Sequence, residues 1–350
     1  MPNTSFIELR KRAREAGGAA THASLCVQSA GREGEDEKNQ DRLSLGETRD
    51  GGGARHQFAI VCDGTSTSPF SAEAAAYVSA QAGALFEEDA LRRVVASLRQ
   101  MRAALLERPL EHEEGQSELL RSMFEEIVRQ KYQVSYQTTF VAVRLKRDEE
   151  GAAGSVTVRA VGCGDSALFI FREDGELLYN NLNLADASDP FKHTSPFTAV
   201  LPDSYDEATD NVLLEAAEFP EDVHLLLCSD GFYDGFTNFR EALDWLREHR
   251  AELSDPAARD LCARELHQRL EQKKGDDDIS FIWLHPAAPP PEAPQEAEEA
   301  EVMEHAGVVN VEPEGRRAGL LDKLLAFLLR PFRRAKQDSA DAAGASKRRA

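Results

Sequence analysis

Four apolar segments of this chain each meet an aspartate at one end, and this recurrence constrains the fold more than any other feature. The segment Phe58–Cys62 is short, rich in strand formers and followed by Asp63-Gly64, which indicates a buried strand with Asp63 at its end. The same design recurs three times, at Val156–Val161 before Asp165, Val223–Cys228 before Asp230, and Ile279–Leu284 after Asp277. Four such strands can bring several carboxylates to one place.

Clustered carboxylates have a restricted chemistry. Two of them about 4 Å apart repel by roughly 4 kcal/mol at an effective dielectric constant of about 20. A cluster therefore takes up protons or binds cations, and ligands that are all oxygen favour Mg²⁺ or Mn²⁺. A single Asp-Gly is more typical of a hairpin turn. The fourfold recurrence favours a metal site.

Composition limits the class of protein. The chain has 350 residues, of which 41% are hydrophobic, enough for one large or two ordinary domains. Its net charge of −21 argues against nucleic-acid binding, which requires a basic face. The five cysteines lack a C-x-x-C spacing and are predicted to be buried reduced thiols, with disulfides as the alternative. Because we find neither a secretory signal nor an apolar run of membrane-spanning length, we predict a cytoplasmic protein.

Strands and helices are predicted to alternate in groups along the chain. Further strands are expected at residues 23–29, 39–45 and 137–143, and a hairpin is expected from 168–171 and 176–179. Helices are expected at residues 5–16, from Ser71 after a capped start, and at 89–107, 116–133, 238–250 and 256–273. Residues 180–210 are predicted to form a flap or a long loop.

Six motifs follow one another in a recognisable order: Asn39-Gln40-Asp41, Asp63-Gly64, Thr138-Thr139, Gly164-Asp165-Ser166, Ser229-Asp230-Gly231 with Asp234, and Asp277-Asp278-Ile279-Ser280. With them, residues 20–286 resemble the metal-dependent serine/threonine protein phosphatases of type 2C, in their bacterial-type branch. The resemblance implies an α+β fold, a four-layer α-β-β-α sandwich of two antiparallel sheets flanked by helices. The order of strands and helices read from the sequence agrees with that fold.

The resemblance also implies the chemistry of the site. Two ions of Mn²⁺ or Mg²⁺, with a third in many bacterial-type members, would be held by Asp63, the Gly64 carbonyl, Asp165, Asp230, Asp234 and Asp277. The residues that it assigns to catalysis are Asp41, Asp63, Asp230 and Asp277, with Asp41 holding water beside the ions. The implied reaction is hydrolysis of phosphoserine or phosphothreonine in a phosphoprotein substrate, by direct attack of a water that bridges the metals.

The chain departs from the family pattern at three places. Gln40 stands where many members have glutamate, and Thr65 stands where eukaryotic members have histidine. Asp36 occupies the position of the arginine that grips the substrate phosphate, so the neighbouring Arg32 and Lys38 are the candidates for that role. The alternative to an active phosphatase is a catalytically inactive adaptor or regulator built on the same fold.

The C-terminal part differs in composition from the rest. Residues 1–19 are predicted to be an N-terminal extension and 287–315 a linker rich in proline and glutamate. Residues 316–350 carry ten Lys and Arg against three Asp, and 319–329 have an amphipathic helical pattern that ends at Pro331. Such a helix can contact an anionic membrane or a partner protein through residues 319–336, at the inner face of the membrane in the first case. Docking on the acidic phosphatase-like domain is the alternative.

Overall fold

The computed structural model of the protein describes residues 22–27, 39–49, 55–110, 118–147, 155–182, 191, 199–220, 222–254, 258–273 and 277–285. These residues contain ten strands: β1 His22–Val27, β2 Arg42–Arg49, β3 Arg55–Gly64, β4 Thr138–Arg147, β5 Ser155–Cys163, β6 Ala167–Arg172, β7 Leu177–Asn180, β8 Val212–Pro220, β9 Val223–Cys228 and β10 Ile279–Leu284. They also contain seven helices: α1 Ser71–Ala80, α2 Ala90–Leu106, α3 Glu118–Gln133, α4 Asp230–Asp234, α5 Phe239–Glu248, α6 Arg250–Ser254 and α7 Arg259–Gln272.

The strands pair into two five-stranded antiparallel sheets. Sheet A has the order β1-β10-β9-β6-β7, and sheet B has the order β2-β3-β4-β5-β8. In sheet A, β10, the last of the described strands, lies between β1 and β9, with His22 opposite Leu284 and Phe281 opposite Cys228. In sheet B, β3 is an inner strand that pairs with β2 and β4.

The main core lies between the two sheets. Successive residues of a strand point to opposite faces of its sheet. Ala59 and Val61 of β3 therefore pack in the central cluster with Ile282 of sheet A, whereas Ile60 and Cys62 pack on the outer face of sheet B. Because both faces of β3 are buried, the segment is continuously apolar instead of alternating with polar residues.

Helices cover the outer face of each sheet. On sheet B, Val78 of α1 and Leu91 of α2 belong to the same buried cluster as Ile60. On sheet A, Trp245 of α5 packs in a cluster with Phe281 of β10. The result is the predicted four-layer α-β-β-α sandwich, so the predicted fold class is confirmed. No helix in the described part of the chain combines the length and the apolarity needed to cross a membrane.

Most predicted elements are present, but one strand was not predicted and one local prediction was wrong. The edge strand β8 was not predicted, because it is largely exposed and its pairing with β5 is interrupted by two register shifts that disturb the alternation. The start of α1 was predicted to be capped, but its N-cap is Phe70, which makes no side-chain capping bond. The predicted N-terminal helix at 5–16, the linker 287–315 and the basic segment 316–350 lie outside the described residues.

Candidate metal and phosphatase site

Aspartates from both sheets meet at one end of the sandwich. Asp41 directly precedes β2, and Asp63 is the second-last residue of the neighbouring strand β3 in sheet B. In sheet A, Asp230 follows β9 after one residue, and Asp277 lies two residues before the paired strand β10. The charges of Asp41, Asp230 and Asp277 all act on Asp63, so the four predicted catalytic carboxylates form one cluster.

One hydrogen bond joins the two sheets at this end, and two others fix the segments next to it in sheet A. The Gln40 amide donates to Asp278 Oδ2 at 2.8 Å, which ties the segment before β2 to the segment before β10. The Asp278 amide donates to Asp277 Oδ1 at 2.8 Å, and the Ser229 amide donates to the Ser280 carbonyl at 2.9 Å. Asp278 is buried and was not predicted as a site residue, although it stands next to Asp277 in the same motif.

Two glycines allow the backbone segments of the site to approach closely. A Cβ added to Gly231 would lie 2.2 Å from the Asp278 carbonyl oxygen, so α4 can start against this segment only with glycine at its second position. A Cβ added to Gly64 would lie 2.8 Å from both Gln40 Cβ and the Gln40 carbonyl oxygen. The two Asp-Gly pairs therefore serve close packing here and not hairpin turns.

The remaining two predicted ligands, Asp165 and Asp234, lie beside Asp230. Asp234 ends α4 and is one helical turn after Asp230. Asp165 lies in the turn after β5, where Gly164 has φ of +96°. The Asp165 carbonyl accepts a hydrogen bond of 3.2 Å from the Tyr233 hydroxyl. The charges of both aspartates act on Asp230, so the structure brings together all six aspartates predicted from the sequence.

The electrostatics of the cluster favour uptake of protons or cations. Burial is the largest cause that raises the pKa of Asp41, Asp63 and Asp230. Neighbouring carboxylates add to this: Asp41 and then Asp230 raise the pKa of Asp63, and Asp277 raises that of Asp230, which reaches about 8. A hydrogen bond with Asp63 acts in the opposite direction on Asp230.

The donor set fits hard divalent cations. All of the side-chain ligands are carboxylates, and Asp230 Oδ1 is buried without a hydrogen-bond partner among the described residues. No group of three or more His, Cys, Asp or Glu side chains in the described ranges is already arranged to hold one ion. The fit therefore rests on ligand chemistry and charge.

The predicted phosphate-binding residues Arg32 and Lys38 lie outside the described residues, so their role stays a prediction. A different basic group is present beside the cluster. One guanidinium nitrogen of the half-buried Arg42 donates to the carbonyl oxygens of Asn39 and Asp41, both at 2.6 Å. This arginine stabilises the turn that contains Asp41. In the sequence, its position directly after the Asn-Gln-Asp motif could have identified it as a residue of the site.

Fold and site together define a sandwich of two sheets with an acidic, cation-binding cluster at one end. A family model described as protein phosphatase 2C matches residues 30–271, which is more than half of the chain. The chain therefore belongs to the protein phosphatase 2C family, as its motifs predicted.

Several solved structures are similar to this chain at low identity. Serine/threonine phosphatase Stp1 from Staphylococcus aureus is 15% identical with a TM-score of 0.38, over 77% of this chain and 95% of that one. A phosphatase from a pathogenic strain of Toxoplasma gondii is 12% identical with a TM-score of 0.42, over 76% and 94%. RsbX in complex with magnesium is 10% identical with a TM-score of 0.35, over 81% and 98%. No curated protein sequence matches the chain.

Proposed function

We propose that the protein is a metal-dependent protein serine/threonine phosphatase that hydrolyses phosphomonoesters. The observation that carries this proposal is the convergence of buried aspartates from both sheets on Asp63, whose pKa is raised by burial and by the charges of Asp41, Asp230, Asp277 and Asp165. Like charges buried together destabilise the fold unless they are protonated or neutralised by cations. A fold that keeps such a cluster has a functional reason to do so.

Each group of the site has a distinct role in the proposed reaction. Asp63 and the Gly64 carbonyl would hold two ions of Mn²⁺ or Mg²⁺, which Asp230 and Asp277 would also bind. When bound, such ions lower the pKa of water and neutralise charge on the phosphoryl group. Asp41 is buried beside these ligands and would orient the attacking water and accept its proton.

A second pair of carboxylates would hold the third, more weakly bound ion of the proposed site. Asp165 and Asp234 flank Asp230 and come from a turn and a helix end. Replacing either is expected to reduce turnover while leaving the tight binding of the first two ions largely intact. The substrate phosphate would be bound by the cations and by Arg32 or Lys38.

The test is hydrolysis of a small aryl phosphate and of phosphoserine peptides with Mn²⁺ or with EDTA. Asp63→Asn is expected to lower metal-dependent turnover at least about 100-fold, because it removes a carboxylate that would hold the ions. Asp244→Asn is the matched control, since Asp244 lies on α5, is 55% exposed and pairs only weakly with Arg247 among the described contacts.

The outcome also separates the enzyme from its alternative. Asp63→Asn removes a repelling charge, so we expect the metal-free variant to be at least as stable as the unmodified protein, and a loss of turnover would not reflect unfolding. Absence of metal-dependent turnover in the unmodified protein would favour the inactive adaptor. Retained turnover in Asp63→Asn would contradict the assignment of the site.

A further inference from the structure

Two aromatic residues next to the candidate site have a backbone conformation that aromatic residues rarely adopt. Phe70 has φ of 61° and Tyr136 has φ of 56°, in the left-handed region that favours glycine and asparagine. Their rings stack on each other, with centroids 5.2 Å apart and an angle of 18° between the planes. The Tyr136 amide donates to the Pro69 carbonyl at 2.9 Å, which joins the two segments. Strain of this kind is concentrated at functional sites.

Both aromatic residues are linked to the proposed metal ligands through residues that follow them in the chain. Ser71, which follows Phe70, has its carbonyl carbon 3.1 Å from the position that a Cβ of Gly64 would occupy. Thr138 donates from its hydroxyl to the Asp63 carbonyl at 2.7 Å. Tyr136 is two residues before Thr138, so their Cα atoms are at most about 7 Å apart. The aromatic pair therefore lies at the rim of the candidate site.

A groove continues from this pair along α2. It has a volume of about 490 Å³ and is lined by Met101, Ala104, Leu105, Glu107, Arg108 and Tyr136. Its volume is in the range of sites that accept a side chain or a small ligand. Phe70 is 38% exposed and reaches the groove through its stacking partner Tyr136. The aromatic pair and the groove form one partly apolar surface, called here the aromatic rim.

We propose that the aromatic rim binds an apolar side chain of the phosphoprotein substrate, close in sequence to the phosphorylated residue. This inference rests on the proposed phosphatase function. The rim is joined to the candidate site along the chain, from Tyr136 to the buried Thr138 that bonds the Asp63 carbonyl, and an extended peptide advances about 3.3 Å per residue. A side chain two to four residues from a phosphoserine at the site can therefore reach it.

A purely structural role explains the stacked pair less well. Asparagine or glycine at position 70 would adopt the same backbone with less strain. Tyr136 packs against the buried cluster on the outer face of sheet B, but the ring of Phe70 is 38% exposed and is not part of that cluster, so Phe70 itself adds little to the core. An exposed ring held in a strained conformation next to a reaction centre is better explained by contact with a substrate.

The experiment compares two phosphoserine peptides that differ only by leucine or alanine at one flanking position, scanned over four positions on each side. The readout is the ratio of kcat/KM for the leucine peptide to that for the alanine peptide. We expect a ratio of about tenfold or more at one or two positions in the unmodified protein. In Phe70→Asn, which keeps the left-handed backbone, the ratio is expected to fall towards one.

Leu261→Ala is the matched control, because Leu261 is an exposed leucine at 56% on α7 and should leave the ratio unchanged. A ratio near one in the unmodified protein, or an unchanged ratio in Phe70→Asn, would overturn the proposal. Loss of a dimer in Phe70→Asn would also overturn the proposal, since a second copy of the chain would then be the occupant of the aromatic rim. A ratio that appears only after removal of residues 316–350 would overturn it as well, since the chain's own tail would then be the occupant.

The failure of this proposal can be distinguished from failure of the proposed function. If the unmodified protein hydrolyses no aryl phosphate, the same peptide pairs are titrated by fluorescence anisotropy in the presence of Mn²⁺. Tighter binding of the leucine peptide, lost in Phe70→Asn, would support the aromatic rim even in an inactive protein. Equal binding of both peptides would reject it.

Discussion

Replacing Gly231 by alanine tests the close approach of α4 to the segment before β10. The added Cβ would lie 2.2 Å from the Asp278 carbonyl oxygen, whereas real Cβ contacts essentially never fall below 3.0 Å. The two backbone segments must therefore separate by at least 0.8 Å, the difference between these distances. Both segments carry proposed metal ligands, Asp230 on one side and Asp277 on the other.

The magnitude follows from this displacement. Overpacking in a well-packed region costs about 1–3 kcal/mol of stability, which for a domain of this size lowers the melting temperature by roughly 2–4 °C per kcal/mol. A misplacement of about 1 Å at catalytic groups lowers turnover by about 100-fold. We therefore expect Gly231→Ala to be folded at 20 °C but nearly inactive.

The assay is Mn²⁺-dependent hydrolysis of an aryl phosphate at 20 °C, with Mn²⁺ affinity measured by calorimetry. Gly235→Ala in the next helical turn is the control, because Gly235 has φ of −66° and its added Cβ would meet nothing closer than 3.2 Å. Turnover and metal affinity equal to the unmodified protein in Gly231→Ala would refute the reasoning.

Three further predictions concern charge and pH. Asp278→Asn keeps an acceptor for the Gln40 amide and should be tolerated, whereas Asp278→Ala removes the carboxylate acceptor of that partly buried amide and should cost about 1–3 kcal/mol in urea unfolding; equal midpoints would contradict this. The pKa of Asp230 is raised to about 8, so the unfolded chain releases a proton that the folded one keeps. In EDTA, unfolding free energy should fall as pH rises from about 4 to 8, by up to about 1.4 kcal/mol per unit for this group. Asp230→Asn should make the unfolding free energy depend less steeply on pH, and an unchanged slope would contradict this prediction. The pKa of His224 is lowered, first by burial and then by the charge of His285. The unfolded chain therefore binds a proton more readily at this position, and stability should also fall as pH drops below about 6.5. His224→Phe should reduce that loss of stability, measured as the melting temperature in a thermal scan.

The layered fold could be predicted because the inner strands have a strong local signal. Ala59–Cys62 and Leu225–Cys228 are buried on both faces, so each is a continuous apolar run. The strand β8 has one face open and an irregular register with β5. Its local sequence therefore lacks the regular alternation from which a strand can be predicted. The left-handed conformation of Phe70 also depends on a distant partner, Tyr136, and cannot be read from its neighbours.

The site could be predicted to a similar extent. The recurrence of aspartate at strand ends identifies Asp63, Asp230 and Asp277, because each strand independently places its own carboxylate. Asp278 contributes through its hydrogen bond with the Gln40 amide, which connects the two sheets. The two residues are 238 positions apart in the chain, so the local sequence gives no sign of this bond. The phosphate-binding role of Arg32 and Lys38 remains a prediction.

The position of β10 between β1 and β9 has a consequence for biosynthesis. Among the described strands β10 is synthesised last, yet it lies between β1 and β9, and Asp277 is two residues before it. A nascent chain therefore cannot complete the acidic cluster before the segment from Asp277 to Leu284 is available, and termination upstream of this segment would yield a protein without Asp277.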